Sequence, residues 1–353
     1  MSDHTSTASD PNGDSSGGPG SDAPVLFERR GALGRVVLNR PKAINALTTP
    51  MVTALHEQLQ AWADDDTVRA VSLEGAGPKG LCAGGDMRAV RESALAGDDA
   101  AMTFFTREYA VDGLVARYPK PFVALMDGVV MGGGVGLSAF GALRLVTGST
   151  RFAMPETAIG FFPDVGVRYL LARAPGELGT HLALTGSPVD GADAIAAGFA
   201  DAQIDAATWE GLLDRLAAGE TLAASVGEVP LSSLAEARSW IDPCYAGDYP
   251  VAIVHRLEAS PEPAARAAAE VVRSRSPLAV AVALAGIRRA ADAVSVDQVL
   301  DEDLGLAARY VEDSDLAEGV RDVLVDKGRG APPRWRYDRL EDVPHEVVAG
   351  FFR

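Results

Sequence analysis

Two carboxylates stand eight residues apart in the stretch Phe152-Ala153-Met154-Pro155-Glu156-Thr157-Ala158-Ile159-Gly160-Phe161-Phe162-Pro163-Asp164-Val165-Gly166. Pro155 fixes the backbone ahead of Glu156, and the hydrophobic turn between the two acids can fold them back toward one point. Apolar Ile159, Phe161 and Phe162 would restrict water there and raise a neighbouring carboxyl pKa toward acid/base use, with Asp164 positioning Glu156 or a water. Two glycine-rich loops offer the complementary chemistry, Cys82-Ala83-Gly84-Gly85-Asp86 and Met131-Gly132-Gly133-Gly134-Val135-Gly136. Glycine lets backbone N–H groups approach a ligand unobstructed, and a helix starting at the second loop adds the positive end of its dipole. Two such donors aimed at one point make an oxyanion hole. Taken singly, each loop is also an ordinary tight turn, and each acid an ordinary turn residue. Their conjunction is what points to chemistry run by carboxylates and backbone amides.

These groups need a scaffold. Residues 25–30 and 34–39 read as a β-hairpin around a 31–34 turn, with Val36, Val37 and Leu38 suited to a buried strand. Thr48 and Thr49 ahead of Pro50 start a helix in which Met51, Leu55, Leu59 and Trp62 recur at helical spacing up to Asp64-Asp65-Asp66. Strands are predicted at 68–73, 121–127 and 143–147, a helix at 102–118, a helix start at 132–140, and an extended segment at 151–154. Both glycine-rich loops then fall where a strand hands over to a helix, in an α/β rhythm. Beyond residue 178 strands become scarce, and alanine-rich helical stretches follow at 209–218, 231–241, 263–272, 277–293 and 295–311, with a loose junction around 227–230. No repeat of fixed period is present.

Composition bounds the remaining possibilities. The 353 residues are 47% hydrophobic and 23% charged, enough for a large soluble core. Lys and Arg number 32 against 49 Asp and Glu, a net charge of −17 that argues against a nucleic-acid partner. An anionic ligand would need a local basic pocket. The longest uncharged run, 128–143, is glycine-rich and short of the roughly 20 apolar residues of a membrane helix, so no membrane partner is expected. Cys82 and Cys244 are the only cysteines, too few for a disulfide framework or a cysteine zinc site, and a reducing, cytoplasmic setting follows. No metal is expected, because the five histidines are scattered without paired spacing and read as surface or packing residues. Residues 1–24 are polar, with neither a basic nor an apolar leader region, and read as a disordered tail. Two motif matches are discounted. Gly75-Ala76-Gly77-Pro78-Lys79-Gly80 has the dinucleotide spacing but no helix start behind its third glycine, and Gly13-Asp14-Ser15-Ser16-Gly17 has nucleophile-elbow spacing inside the tail.

The conjunction resembles the crotonase (enoyl-CoA hydratase/isomerase) superfamily. The likeness rests on Asn39-Arg40-Pro41-Lys42-Ala43-Ile44-Asn45-Ala46-Leu47, the Ala83-Gly84-Gly85-Asp86 loop and the triple glycine after Asp127-Gly128. It implies an α/β spiral core of ββα units at 25–205, binding acyl-CoA, and a helical C-terminal region at 206–353 that covers the site or meets another subunit. Gly85 and Gly133 would supply the oxyanion donors, and Ala83, Lys42 and Ala43 would contact the adenosine end of CoA. The 152–166 stretch looks like the 3-hydroxyisobutyryl-CoA hydrolase branch, as does Glu318-Gly319-Val320-Arg321 through Val325-Asp326-Lys327 with Pro333 and Trp335. Val167-Arg168 departs from the further glycines usual there, which bears on fine substrate choice.

The branch implies hydrolysis of an acyl-CoA thioester with Glu156 and Asp164 as catalytic acids and Glu108 as a substrate contact able to accept from a hydroxyl. It implies no cofactor, CoA being part of the substrate, and a homo-oligomer, trimer or hexamer. Asp86 is expected to brace its loop. The rival readings are an enoyl-CoA hydratase or isomerase and a catalytically idle CoA-binding protein.

Overall fold

The computed structural model describes residues 22–353; the Gly13 to Gly17 match and the expected tail up to residue 21 lie outside the described residues. The tail's expected last residues, Ala23 and Pro24, are tied down instead, because their carbonyls accept from the Asn39 side chain and backbone N–H at 2.9 and 2.8 Å. Strands β1 (Val25–Arg30) and β2 (Leu33–Leu38) form the antiparallel hairpin. Helix α1 (Thr49–Asp64) has Pro50 in its first turn and buries Met51, Val52, Leu55, Leu59 and Trp62 as one stripe. It carries the chain over to β3 (Ala70–Gly75), parallel to β2.

Next come α2 (Met87–Ala96), α3 (Ala100–Ala116), β4 (Phe122–Met126), β5 (Val129–Met131) and α4 (Gly133–Gly136). They are followed by β6 (Leu143–Val146), β7 (Arg151–Ala153), α5 (Arg168–Leu171), α6 (Leu178–Thr185), α7 (Gly191–Ala196) and β8 (Ala202–Gln203). The main sheet runs β1-β2-β3-β4-β6-β8 and is parallel after the hairpin, while β5 and β7 pair in a small second sheet. Bridges from Gly80 to Gly128 and from Cys82 to Val130 tie the loop after β3 to β5. The two glycine-rich loops therefore meet beyond the C-terminal ends of parallel strands, where α/β folds build sites. The expected helix from residue 132 is a single turn, because Gly136 is its last residue.

The rest is helical: α8 (Trp209–Ala217), α9 (Ser233–Glu236), α10 (Arg238–Tyr245), α11 (Pro250–Ala259), α12 (Pro263–Arg273), α13 (Pro277–Ala290), α14 (Val296–Glu312), α15 (Ser314–Val320) and α16 (His345–Phe351). Two expectations about this half need correction. The 227–230 junction is pinned, since Glu228 and Gln203 exchange both backbone hydrogen bonds at 2.8 and 2.9 Å. Helix α8 packs with the sheet, where Trp209 and Leu213 share a cluster with Leu33, Val123 and Leu143. The main core, in contrast, runs from Val25 to Phe351 without regard to the two regions.

Candidate active site

The motif around Asn39 works as a staple for the glycine loop. Asn45 is fully buried, accepts from the Arg40 N–H at 2.9 Å and donates to the Gly80 and Leu81 carbonyls at 3.1 and 3.0 Å. The Leu47 N–H donates to the Gly84 carbonyl, and the Asp86 N–H to the Leu47 carbonyl. Asp86 also sits 3.6 Å from the Arg40 guanidinium, so it braces its loop. This fixes Gly85 with its N–H in no backbone hydrogen bond among the described residues. Gly133 opens α4, so its N–H has no acceptor within the helix either. The two loops touch: a β-carbon at Gly84 would stand 3.6 Å from the Gly133 nitrogen.

Gly85 and Gly133 line one cavity of about 330 Å³ together with Ala83, Glu108, Glu156 and Asp164. Its apolar wall is Met87, Phe105, Met131, Ile159, Phe161, Val323 and Leu324. Phe162, expected beside the acids, instead packs behind them, its ring 5.5 Å from Tyr310 and 5.7 Å from the Arg168 guanidinium carbon. Glu156 begins a 3-10 turn (Glu156–Ile159) and is buried with Oε2 unpartnered. Its other oxygen lies against Gly132, where a β-carbon would stand 3.2 Å away. Burial pushes its pKa well up, and Asp164 adds like-charge repulsion. Asp164 is pushed up to about 7 by burial, although the Tyr109 hydroxyl donating to it at 2.7 Å works the other way. Glu108, on α3, is also buried rather than solvated, with Oε1 unpartnered and its pKa raised by burial and then by Asp164.

Lys42 and Ala43 are on the adjoining, more open cavity of about 600 Å³, which shares Ala83, Gly85, Met87 and Leu324 with the first. Arg40, Lys79, Arg88 and Lys327 join Lys42 there. A chain of net charge −17 thus gathers five cations at one mouth leading to a buried, apolar, acidic end.

Sequence reasoning did not single out the support beneath Asp164. Arg168, fully buried, bonds Asp303 on α14 through Nε at 2.8 Å, and Asp303 accepts from the Gly166 N–H at 2.8 Å. Glu302 takes the same guanidinium at 2.8 Å. The signal was available: Asp303 falls on the buried stripe Val299, Leu300, Leu306, Ala307 and Tyr310 of α14, where a charge needs a partner. Lys327, Val323 and Leu324 fall within the 318–327 stretch noted for its family likeness, which gave them no role at the site. They follow or belong to a π-helical turn (Arg321–Asp326) whose place is set by α15 packing on Ile159. The discounted glycine run ends in Gly80, whose Cα lies against Gly128 in the loop bridge. His181 is a packing residue, its ring edge-on to Trp240 and Tyr245 and its pKa held down to about 4 by burial.

Known proteins agree with this architecture. The enoyl-CoA hydratase/isomerase profile matches residues 33–352. The 3-hydroxyisobutyryl-CoA hydrolase, mitochondrial, of Gallus gallus is 36% identical over 94% of this chain and 89% of its own. The protein of the same name from Homo sapiens is 35% identical over 93% and 88%. The crystal structure of a carnitinyl-CoA dehydratase from Mycobacterium thermoresistibile superposes with a TM-score of 0.89 at 46% identity, covering 94% of this chain and 96% of its own. That of an enoyl-CoA hydratase from Rhodobacter sphaeroides 2.4.1 gives 0.88 at 38%, covering 94% and 97%. With the profile spanning the sheet from β2 on, both glycine loops and the helices that close the cavity, the chain belongs to the enoyl-CoA hydratase/isomerase family.

Proposed function

We propose that this protein hydrolyses the thioester of 3-hydroxyisobutyryl-CoA, giving 3-hydroxyisobutyrate and CoA. The observation that carries the reading is Glu156 buried with an unpartnered oxygen in the same small apolar cavity as the free N–H groups of Gly85 and Gly133. The names of relatives at 35 and 36% identity supply the acyl group. In this mechanism the Glu156 carboxylate adds to the thioester carbon while the carbonyl oxygen takes its negative charge toward the two N–H donors. Collapse breaks the C–S bond, and the CoA thiolate takes a proton from Asp164. Water then adds to the acyl–Glu156 anhydride, returns one proton to Asp164 and releases the acid. An acid near pKa 7 suits both transfers. Glu108 receives the substrate hydroxyl, and the cationic mouth receives the phosphates of CoA.

The dehydratase and hydratase names of the two superposed structures favour a second reading, addition or removal of water. Hydratases of the family place a second glutamate three residues after the oxyanion glycine, and that position is Gly136. Here a β-carbon would stand 2.7 Å from Asp112 Oδ1 and 2.7 Å from Val165, leaving no room for that side chain. Free-thiol release from a panel of acyl-CoAs, run beside the loss of crotonyl-CoA absorbance, decides. Thiol release faster than hydration supports the hydrolase, and the reverse order overturns it.

A further inference from the structure

Asp112 is a buried acid for which the hydrolytic steps have no use. It is fully buried on α3, and among the described residues neither of its carboxyl oxygens has a hydrogen-bond partner. It stands one helical turn after Glu108, so the two carboxyls share a face. That face meets the glycines of α4 in register. A β-carbon at Gly133 would collide with Glu108 Oε1, and one at Gly136 would stand 2.7 Å from Asp112 Oδ1. The absence of side chains on α4 thus makes room for two acids side by side, directly behind an oxyanion donor.

Among the described residues the surroundings give Asp112 no cation. On its own helix the facing groups are Glu108 and Tyr109, and Tyr109 is occupied with Asp164. The 156–166 loop contributes Asp164, α14 contributes Asp303, and Cys82 lies close from the glycine loop. Arg168 is committed to Asp303 and Glu302, and Arg117 pairs with Asp297 of α14. An ionised carboxylate among acids and apolar groups is unfavourable, whereas one added proton turns an acceptor facing an acceptor into a donor facing an acceptor. Burial, followed by Glu108, Asp164 and Asp303, raises its pKa well above the usual range, in the same direction.

We infer that Asp112 is a positioning residue that works as a neutral carboxylic acid, its O–H directed to the unpartnered Glu108 oxygen so that Glu108 is held in place to receive the substrate hydroxyl. This rests on the role given to Glu108 under the proposed function. Asparagine is the test of a neutral acid, because it keeps shape and a donor while removing the proton equilibrium. Asp112→Asn is expected to keep kcat/KM for 3-hydroxyisobutyryl-CoA within about twofold, whereas Asp112→Leu, which has no donor, loses about tenfold, as for one buried hydrogen bond lost. For isobutyryl-CoA, which lacks the hydroxyl, the Leu variant is expected to lose much less. Asn failing as badly as Leu, or Leu losing equally on both substrates or on neither, overturns the inference. Infrared spectra of the resting protein at pH 7.5 give a substrate-independent readout. A protonated-carboxyl component of the wild-type spectrum, distinct from those of the other buried acids, that is missing from Asp112→Asn supports it, and identical spectra overturn it even if the protein acts on some other thioester.

Discussion

At the scale of the residue, the site is governed by how hard it is to hold charge. Glu108, Asp112, Glu156 and Asp164 are all buried, and burial is the leading cause of every one of their raised pKa values. In the proposed mechanism Glu156 attacks as the carboxylate, so turnover should fall as pH drops through its raised pKa. Glu156→Gln should lose about a thousandfold in kcat or more while still binding CoA, checked by thiol release and by calorimetry. Near-normal turnover would remove Glu156 from the mechanism. Asp164 makes a prediction about stability. Its folded pKa of about 7 stands above the ordinary 3.8, so the folded state holds a proton that the unfolded chain gives up between those values. The stabilisation is complete below about 3.8 and is lost as pH rises through about 7. Asp164→Asn has no such dependence, so its Tm relative to wild type should climb from pH 4 to pH 8. A constant difference would contradict the burial argument.

At the scale of the element, the proposed chemistry falls to the loops, and the helices hold them still. A side chain at Gly133 would strike Glu108, so Gly133→Val should displace both the N–H and the acid. Removing one oxyanion donor typically costs on the order of 100-fold in rate, and steady-state kinetics on folded Gly133→Val should show at least that loss. Beneath Asp164, the Arg168–Asp303 pair holds the Gly166 turn, and breaking a buried pair by truncating one partner costs about 3–5 kcal/mol. Asp303→Ala should lose stability of that order in urea unfolding, whereas a loss below about 1 kcal/mol would mean the pair is dispensable. These elements also mark what the sequence could reveal. The α1 stripe, the hairpin and the strand-to-helix placing of both glycine loops follow from local periodicity and glycine or proline signals. So does the approach of Glu156 to Asp164 around a hydrophobic turn. Glu108 reads as a surface residue from its helix alone and came forward only by family resemblance; its burial depends on the bare glycine face of α4, far along the chain. Asp112 and Asp303 acquire meaning through contacts with segments far along the chain, which no local pattern encodes, and Lys327, inside a stretch noted for its family likeness, gains its role only where the fold brings it to the mouth.

At the scale of the whole molecule, the division at residue 205 is a division of secondary structure and not of packing. The main core joins Val36, Val71 and Phe105 of the α/β part to Leu278, Val282, Tyr310 and Phe351 of the helical part. The last helices also finish the site, since Val323 and Leu324 wall the acyl cavity and Lys327 completes the cationic mouth. Between the two halves lie specific polar ties: Arg168 to Asp303, and the Ser276 N–H donating to the Thr157 carbonyl at 3.1 Å. Residues 22–205 alone would leave the faces of Phe161 and Phe162 that pack on Tyr310 uncovered and the Arg168 guanidinium without its carboxylates, so neither part is equipped to stay folded when the other opens. The expected behaviour is one cooperative transition. Trp62 and Trp209 report on the sheet side and Trp240 on the helical side, so tryptophan fluorescence, far-UV circular dichroism and loss of CoA binding should share one urea midpoint. A helical region that melts first, leaving a folded sheet that still binds CoA, would show the C-terminal half to be a separable cover rather than part of the core.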